Sequence, residues 1–196
     1  MRKFKEQKEL IQFARNFIED RLNALSKDTQ HCLKEPYAPF PSILLCFSTI
    51  DMLGALYAGD ASKKARTTEQ SKRYMKRFMS YTNEQCEMLM EIFRHKIIHL
   101  AQPKAIIEYK GKKVTWRYWH DNKISHLKLT KLKEKVDISV SSNWALTAEY
   151  EFAISIIHLV QDIENSVFDS EGYFHSLKTC VDIQDSFEKA ISEIYE

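Results

Sequence analysis

The stretch 42–58, SILLCFSTIDMLGALYA, is apolar on nearly every side when it is placed on a helix. Such a helix is stable where other helices surround it, so the stretch predicts the central helix of a bundle. The apolar run is interrupted by Asp51 and Gly54, and we expect it to be too short to cross a bilayer. Asp51 is either a hydrogen-bonded core group or part of a functional site.

The flanking segments also favour helices. Apolar residues recur every three or four positions in 3–33, which is typical of a long amphipathic helix. An extended connector follows, predicted from Pro36, Pro39 and Pro41. Two Thr–Gln pairs have the spacing of a capping box and predict helices that begin near 68 and 83: Thr67 with Gln70, and Thr82 with Gln85. The second of these helices is predicted to run to Leu100, before Pro103.

The segment after Pro103 favours β-structure. β-rich sequence on both sides of Lys110-Gly111 predicts a hairpin, and the alternating stretch 126–133 predicts a third strand. Helical spacing resumes near Trp144 and continues to about Phe168, and a last helix is predicted over 182–194. The predicted fold is mainly α: one domain over 1–196, a helical bundle with a small antiparallel β-sheet inserted, at about 104–140, before the last two helices.

Composition excludes several classes of protein. The charged start, MRKFKEQKEL, argues against a secretory signal, and the four cysteines are widely spaced with no C-x-x-C pair. We therefore expect a reduced, cytoplasmic protein without a membrane segment. The Gly-rich motifs of nucleotide and dinucleotide sites are absent from the sequence, and no cofactor is expected.

The charge is distributed unevenly. Residues 61–135 hold 19 Lys and Arg against 7 Asp and Glu, whereas residues 136–196 hold 2 against 12. The two regions either neutralise each other, or the first offers a basic surface to a polyanion. Aromatic residues alternate with basic ones around Trp116 and Tyr118, where they either stack nucleobases or cover the bundle. The candidate RNA contacts are Lys72, Arg73, Lys76, Arg77, Lys112, Lys113 and Arg117.

The helix predicted over 83–100 ends in the most informative motif, RHKIIH at 94–99. On an ideal helix its apolar residues form two stripes. One stripe should face the core and consists of Cys86, Leu89, Met90, Phe93, Ile97 and Leu100. The other lies nearly opposite and consists of Met88, Ile92, His95 and His99. A helix with two such faces packs against its own core and against a second subunit or the inserted sheet.

Arg94, His95 and His99 resemble the active motif of the HEPN superfamily, helical-bundle proteins of which many are endoribonucleases. That motif is Arg, then Asn, Asp or His, then three variable residues, then His, near a helix end. The resemblance covers mainly residues 42–103. It implies a homodimer in which both protomers contribute to one cleft, RNA as the substrate, and a toxin or defence effector with an antitoxin or regulatory protein as partner. Ala101 stands where the family branch paired with nucleotidyltransferases tends to have Tyr.

The residue types suit metal-independent RNA cleavage, in which the 2′-hydroxyl attacks the neighbouring phosphate. Histidine exchanges protons near neutral pH, and arginine binds phosphate oxygens as a fork. By analogy with the family, we assign His99 as general acid or base, Arg94 as the phosphate and transition-state binder, and His95 as a polar positioning group. Asp51 is assigned a supporting role, orienting Arg94 or a histidine.

Each assignment has an alternative. Arg94 can pair with Glu87 or Glu91 on a solvated face. His95 and His99 have the i, i+4 spacing of zinc ligands, although no third ligand is evident and no metal is assigned. The remaining histidines, His126 and His158 among them, are predicted to be surface or packing residues. The whole protein can also be a catalytically inactive HEPN-like module that binds RNA or protein, or a purely structural dimer.

Overall fold

The computed structural model describes residues 4–94, 104–119 and 125–196. The first part is helical and contains α1 (Gln7–Cys32), α2 (Pro39–Ala58), α3 (Thr67–Phe78) and α4 (Asn83–Leu89), which a π-helical turn, Met90–Arg94, continues. The strands are β1 (Ile107–Tyr109), β2 (Lys112–Trp119), β3 (Lys128–Ser141) and β4 (Trp144–Ser155). They are followed by α5 (Ile156–Phe168), α6 (Tyr173–Thr179) and α7 (Val181–Tyr195). The protein is thus mainly helical, with a small mixed sheet between helices.

Helix α2 is the centre of the bundle, which confirms the prediction for 42–58. It contacts α1, α3, α5 and α7, and Ile43, Cys46, Ile50 and Leu53 are fully buried. Burial raises the pKa of the Cys46 thiol to about 12, so this thiol stays protonated at neutral pH.

The length of α2 differs from the expectation. By length and composition it is long and apolar enough to cross a membrane, because it begins at Pro39 rather than at Ser42. The expectation that it is too short is therefore wrong. The core helix of a soluble protein can have this length and composition too, so α2 alone does not indicate a membrane. The cytoplasmic location stays a prediction.

The helix starts agree with the sequence in part. Thr82 and Gln85 form the predicted capping box, with Gln85 N donating to Thr82 Oγ1 over 3.2 Å and Thr82 N donating to Gln85 Oε1 over 2.8 Å. Pro39 and Pro41 lie in the first turn of α2 instead of an extended connector, because the N–H that proline lacks has no partner there anyway. The box predicted at Thr67 does not form: Arg66 precedes α3 without a side-chain cap.

The sheet has the order β1-β2-β4-β3. The predicted hairpin is confirmed: β1 and β2 are antiparallel, with Ile107 opposite Val114 and positive φ angles at Lys110 and Gly111. Strand β4 pairs antiparallel with β3 but parallel with β2, so the expectation of a purely antiparallel sheet is wrong. The alternation of a strand indicates its faces and leaves its neighbours undetermined, which is why the sequence did not show the parallel pair.

Residues 144–155 form a strand where a helix was predicted. The apolar residues Ala148, Phe152 and Ile156 are four apart, and this spacing satisfies both the helical repeat and the two-residue repeat of a strand. The helix starts at Ile156, capped by Ser155 Oγ, which accepts from His158 N. Helix α6 was also missed, so three helices rather than two follow the sheet in the described range 125–196.

The sheet packs on the bundle through aromatic residues of β2. The Trp116 ring lies 5.6 Å from that of Phe93 and 6.1 Å from that of Phe40, and Tyr118 lies 5.8 Å from Phe40, measured between centroids. This confirms that one face of β2 covers the bundle. The sheet thereby lies against the helix that carries Arg94.

Candidate functional site

Arg94 and Asp51 form an ion pair in which the guanidinium faces the carboxylate side-on. Arg94 Nε lies 3.1 and 3.0 Å from the two carboxylate oxygens, and Nη2 lies 2.9 Å from Oδ2. Nη1 donates to Thr68 Oγ1 over 2.9 Å. The exposed fractions of the two side chains are 13% for Arg94 and 16% for Asp51. Arg94 is therefore fixed by charge-assisted bonds from α2 and by a hydroxyl from α3.

Close packing of α2 on α3 brings these groups together. A Cβ at Gly54 would lie 2.9 Å from the Ser71 backbone nitrogen, so only glycine allows this approach. One turn earlier on α2, Asp51 accepts a hydrogen bond from Ser71 Oγ as well as from Arg94. The carboxylate thus connects α2, α3 and the end of the π-helical turn.

The alternative pairing of Arg94 with glutamates of its own helix is not what the structure shows. Glu91 pairs with Lys104 over 2.7 Å. Glu87 accepts from Tyr109 over 2.9 Å and from Asn83 over 2.6 Å, and these bonds lower its pKa. Arg94 points to the neighbouring helices, and some of its N–H groups donate to no residue described in the structure. Each terminal nitrogen of a guanidinium carries a pair of N–H donors. Among the described residues only one of each pair is used here.

His95 and His99 lie outside the described residues, so their roles and the zinc alternative stay predictions. Within the described ranges, no group of three or more His, Cys, Asp or Glu is arranged to hold a metal ion. Met88 and Ile92 are the apolar part of the stripe expected to meet a second subunit or the inserted sheet, and both are buried inside the chain. The prediction that these two residues present a dimerisation face is therefore wrong, whereas dimerisation itself stays a prediction.

One of the candidate RNA contacts on the sheet, Arg117, is neutralised by the acidic C-terminal region. Arg117 pairs with Glu151 over 2.9 Å, and Lys112 lies 5.2 Å from the centre of the Tyr150 ring. On α3, Lys72 lies 3.5 Å from Glu69, and Arg77 lies over its neighbour Phe78. Internal charge compensation therefore accounts for some of the basic residues. Arg73 lines an open cleft instead. The contacts of all seven residues with RNA, including Lys76 and Lys113, stay predictions.

A second polar cluster was not recognised from the sequence. Tyr81 Oη donates to Asp162 Oδ2 over 2.6 Å, and His126 Nε2 lies 3.4 Å from the same oxygen. His126 Nδ1 accepts from Ser155 N, which leaves the ring proton on Nε2 when the imidazole is neutral. The His158 ring lies 5.7 Å from that of His126. His158 and Asp162 are four apart on α5, and this spacing was the one local signal available.

The cluster ties α5 to the loops before α4 and β3. Burial raises the pKa of Asp162, but the hydrogen bonds from His126 and Tyr81 outweigh it, and the net pKa is lowered. Burial and the adjacent Asp162 charge raise the pKa of Tyr81, so its hydroxyl stays protonated and donates.

The Asp162→Asn variant is expected to have a free energy of unfolding about 1 kcal/mol lower than the wild type, measured by urea denaturation at neutral pH. The substitution weakens the hydrogen bonds that Tyr81 and His126 make to a partly solvated carboxylate. A lowered carboxyl pKa stabilises the fold at neutral pH, and this contribution is lost as the pH falls through the folded-state value. The wild type should therefore lose more stability than the variant between neutral and acid pH. The control is Asp28→Asn, which removes the same charge from an exposed position of α1. Parallel pH curves for wild type and Asp162→Asn would contradict the role given to Asp162.

Comparisons with known proteins do not assign a family. No protein-family model matches the chain, and neither the curated proteins nor the solved structures contain a match.

Proposed function

We propose that this protein is a HEPN-like endoribonuclease that cuts RNA without a metal ion, through attack of the RNA 2′-hydroxyl on the adjacent phosphate. The observation that carries the proposal is the Asp51–Arg94 pair. It fixes a guanidinium that keeps N–H donors without a partner among the described residues, directly before His95 and His99 in the sequence. The π-helical turn at Met90–Arg94 adds support, because such turns are rare and frequently found at functional sites.

In this mechanism Arg94 binds the phosphate and stabilises the negative charge that develops in the transition state. Asp51 is a positioning residue, since it fixes the plane of the guanidinium and leaves its outer N–H donors to the phosphate. His99 transfers the proton of the attacking hydroxyl or of the leaving 5′-oxygen, and His95 positions the reacting groups. These histidine roles rest on the resemblance.

The proposal includes a homodimer, with each protomer contributing to the cleft, and a toxin or defence role with a regulatory protein partner. Burial of Met88 and Ile92 limits how the dimer can form, because the interface has to be made by other residues. The composite cleft of the proposal includes His95 and His99, which follow Arg94 in the sequence.

The experiment is cleavage of end-labelled RNA by the purified protein in excess EDTA. We expect cutting to persist and each 5′ fragment to end in a 2′,3′-cyclic phosphate, because the attacking oxygen belongs to the RNA. Loss of activity in EDTA would contradict the mechanism and favour the zinc site at His95 and His99.

A second candidate is a catalytically inactive module that binds RNA or a protein. The low exposure of Arg94 favours it, because a guanidinium held by Asp51 and Thr68 is also what a purely structural role requires. RNA binding without any cleavage would support this candidate against the first.

A further inference from the structure

A cleft of about 550 Å³ opens between the end of α2, the loop 60–66 and α3. Its lining includes the cations Lys64, Arg66 and Arg73. The volume is within the range of clefts that hold small ligands or a segment of a larger one. All three cations have exposed side chains that can reach into the cleft from its rim.

The three cations are not neutralised within the described part of the chain, where none of them forms an ion pair. The acidic groups of the same cleft are Asp60 and Glu69. Asp60 accepts a hydrogen bond from Ser62 N over 3.1 Å, and its bonds to Ser62 lower its pKa. Glu69 lines the cleft but pairs over 3.5 Å with Lys72, which does not line it. The cleft therefore combines an excess of positive charge with cations free to take an anionic ligand.

Gln70 lies at the base of the cleft with an unused acceptor. It is 7% exposed, and its Nε2 donates to the Asp60 carbonyl oxygen over 2.9 Å. Its Oε1 is buried and has no hydrogen-bond partner. A buried acceptor without a donor is costly, so a donor from a bound molecule would be favourable here. The ligand that fits carries both negative charge and hydrogen-bond donors.

The loop that forms the cleft is held in place. Ala61 N donates to Glu193 Oε2 of α7 over 2.6 Å, and the Gln70–Asp60 bond fixes the loop to α3. A preformed site avoids the entropy cost of ordering its walls when the ligand binds.

The cleft adjoins a second cleft that Asp51 lines. This second cleft, of about 280 Å³, shares Asp60 and Gln70 with the first and is also lined by Asp51 and Thr67. Asp51 is the residue that holds Arg94, and Thr67 adjoins Thr68, which bonds to it. The two clefts adjoin at Asp60 and Gln70 and are together called the groove: Asp51 lines the second cleft and the three unpaired cations line the first.

We propose that this groove binds the substrate strand next to the cleaved bond. Arg66, Arg73 and Lys64 contact successive phosphates, and the unused acceptor of Gln70 takes a hydrogen bond from the ribose or base. This inference rests on the proposed function for the identity of the strand, since the cation arrangement alone specifies a phosphodiester chain. Cations on β2 are not required for it.

The test is the affinity of the Arg66→Ala/Arg73→Ala double variant for a fluorescent single-stranded oligonucleotide, measured by anisotropy at several salt concentrations. RNA and DNA of the same sequence are used, because DNA keeps the phosphates but lacks the attacking hydroxyl. The matched control is Lys8→Ala/Lys27→Ala, which removes the same charge from exposed positions of α1. Arg66→Gln/Arg73→Gln replaces the first variant if that one does not fold.

We expect the groove variant to bind both strands about tenfold more weakly at low salt, since two charge-assisted contacts are lost. Its plot of log affinity against log salt should be shallower by about 1.4, because two fewer phosphates are neutralised. Equal affinities in groove and control variants, or no binding by the wild type, would overturn the groove. RNA cleavage is measured in a separate assay. Cleavage with equal affinities in the groove and control variants would contradict the groove alone. Binding of DNA that is weakened in the groove variant, without cleavage of RNA by the wild type, would contradict the proposed nuclease alone.

Discussion

The His99→Ala variant is expected to cut RNA about 10²–10⁴-fold more slowly than the wild type, because a positioned general acid or base contributes that much to a proton transfer. Arg94→Ala should cause comparable damage, since it removes the fork that stabilises charge on the phosphate in the transition state. The rates are compared under single-turnover conditions, so that slow product release does not conceal a change in the chemical step.

Three controls make these rates interpretable. His95→Asn should be milder, since the HEPN motif that the chain resembles admits Asn at that position. His31→Ala removes an exposed histidine from the end of α1 and should leave the rate unchanged. Circular dichroism and the mass in solution show whether each variant keeps its fold and association state. Cleavage by a folded His99→Ala protein at the wild-type rate would move the chemistry away from the motif.

The Asp51→Ala variant should lower the free energy of unfolding by about 3 kcal/mol, measured by urea denaturation at neutral pH. The reason is that the largely buried Arg94 guanidinium would lose its counter-charge, and Ser71 would lose an acceptor. Activity should fall with stability, because an unpaired guanidinium no longer holds one orientation. A loss below about 0.5 kcal/mol would mean that the pair behaves as a solvated surface pair.

The double variant Asp51→Leu/Arg94→Met separates stability from function. Replacing both partners of a buried ion pair with apolar residues often restores stability, whereas removing one partner leaves a buried charge. We expect this variant to be more stable than Asp51→Ala and to remain inactive. Recovery of RNA cleavage in it would show that neither residue takes part in the reaction.

The sequence predicted those elements whose signals are local. Helix α2 was recognised because it is apolar all round, and the β1–β2 hairpin because a Lys-Gly turn separates two β-rich runs. The Thr82–Gln85 box was recognised because both of its bonds lie within one turn. Each of these signals is complete within a few residues, so no tertiary contact is needed to interpret it.

The prediction of secondary structure and strand pairing failed in two situations. In one, a pattern of apolar residues fits both a helix and a strand; in the other, the paired strands are far apart in the sequence. Residues 144–155 carry apolar positions four apart, which fits a helix and a strand equally, and pairing with β2 on one side and β3 on the other makes them a strand. The parallel pairing of β2 with β4 joins Val114 to Tyr150, and no local spacing encodes it. The second apolar stripe of the helix predicted over 83–100 was expected to meet a second subunit or the inserted sheet, and Met88 and Ile92 are buried within the chain.

The candidate site was predicted in composition and in part of its geometry. Asp51 and Arg94 were selected for their residue types and for the motif, whereas the contact of Asp51 with Ser71 depends on Gly54, which lets α3 approach α2. The cluster of Tyr81, His126 and Asp162 was missed because its members come from three separate segments, and only the fold brings them within hydrogen-bond distance.

The most direct test of the central claim uses a DNA strand that contains a single ribonucleotide, incubated with the wild-type protein in excess EDTA. If the 2′-hydroxyl is the nucleophile, the strand is cut only on the 3′ side of that nucleotide, the 5′ fragment ends in a 2′,3′-cyclic phosphate, and the all-DNA strand stays intact. The mechanism is contradicted if the all-DNA strand is cut as well. It is also contradicted if the strand with one ribonucleotide is cut and its 5′ fragment ends in a plain 3′-hydroxyl.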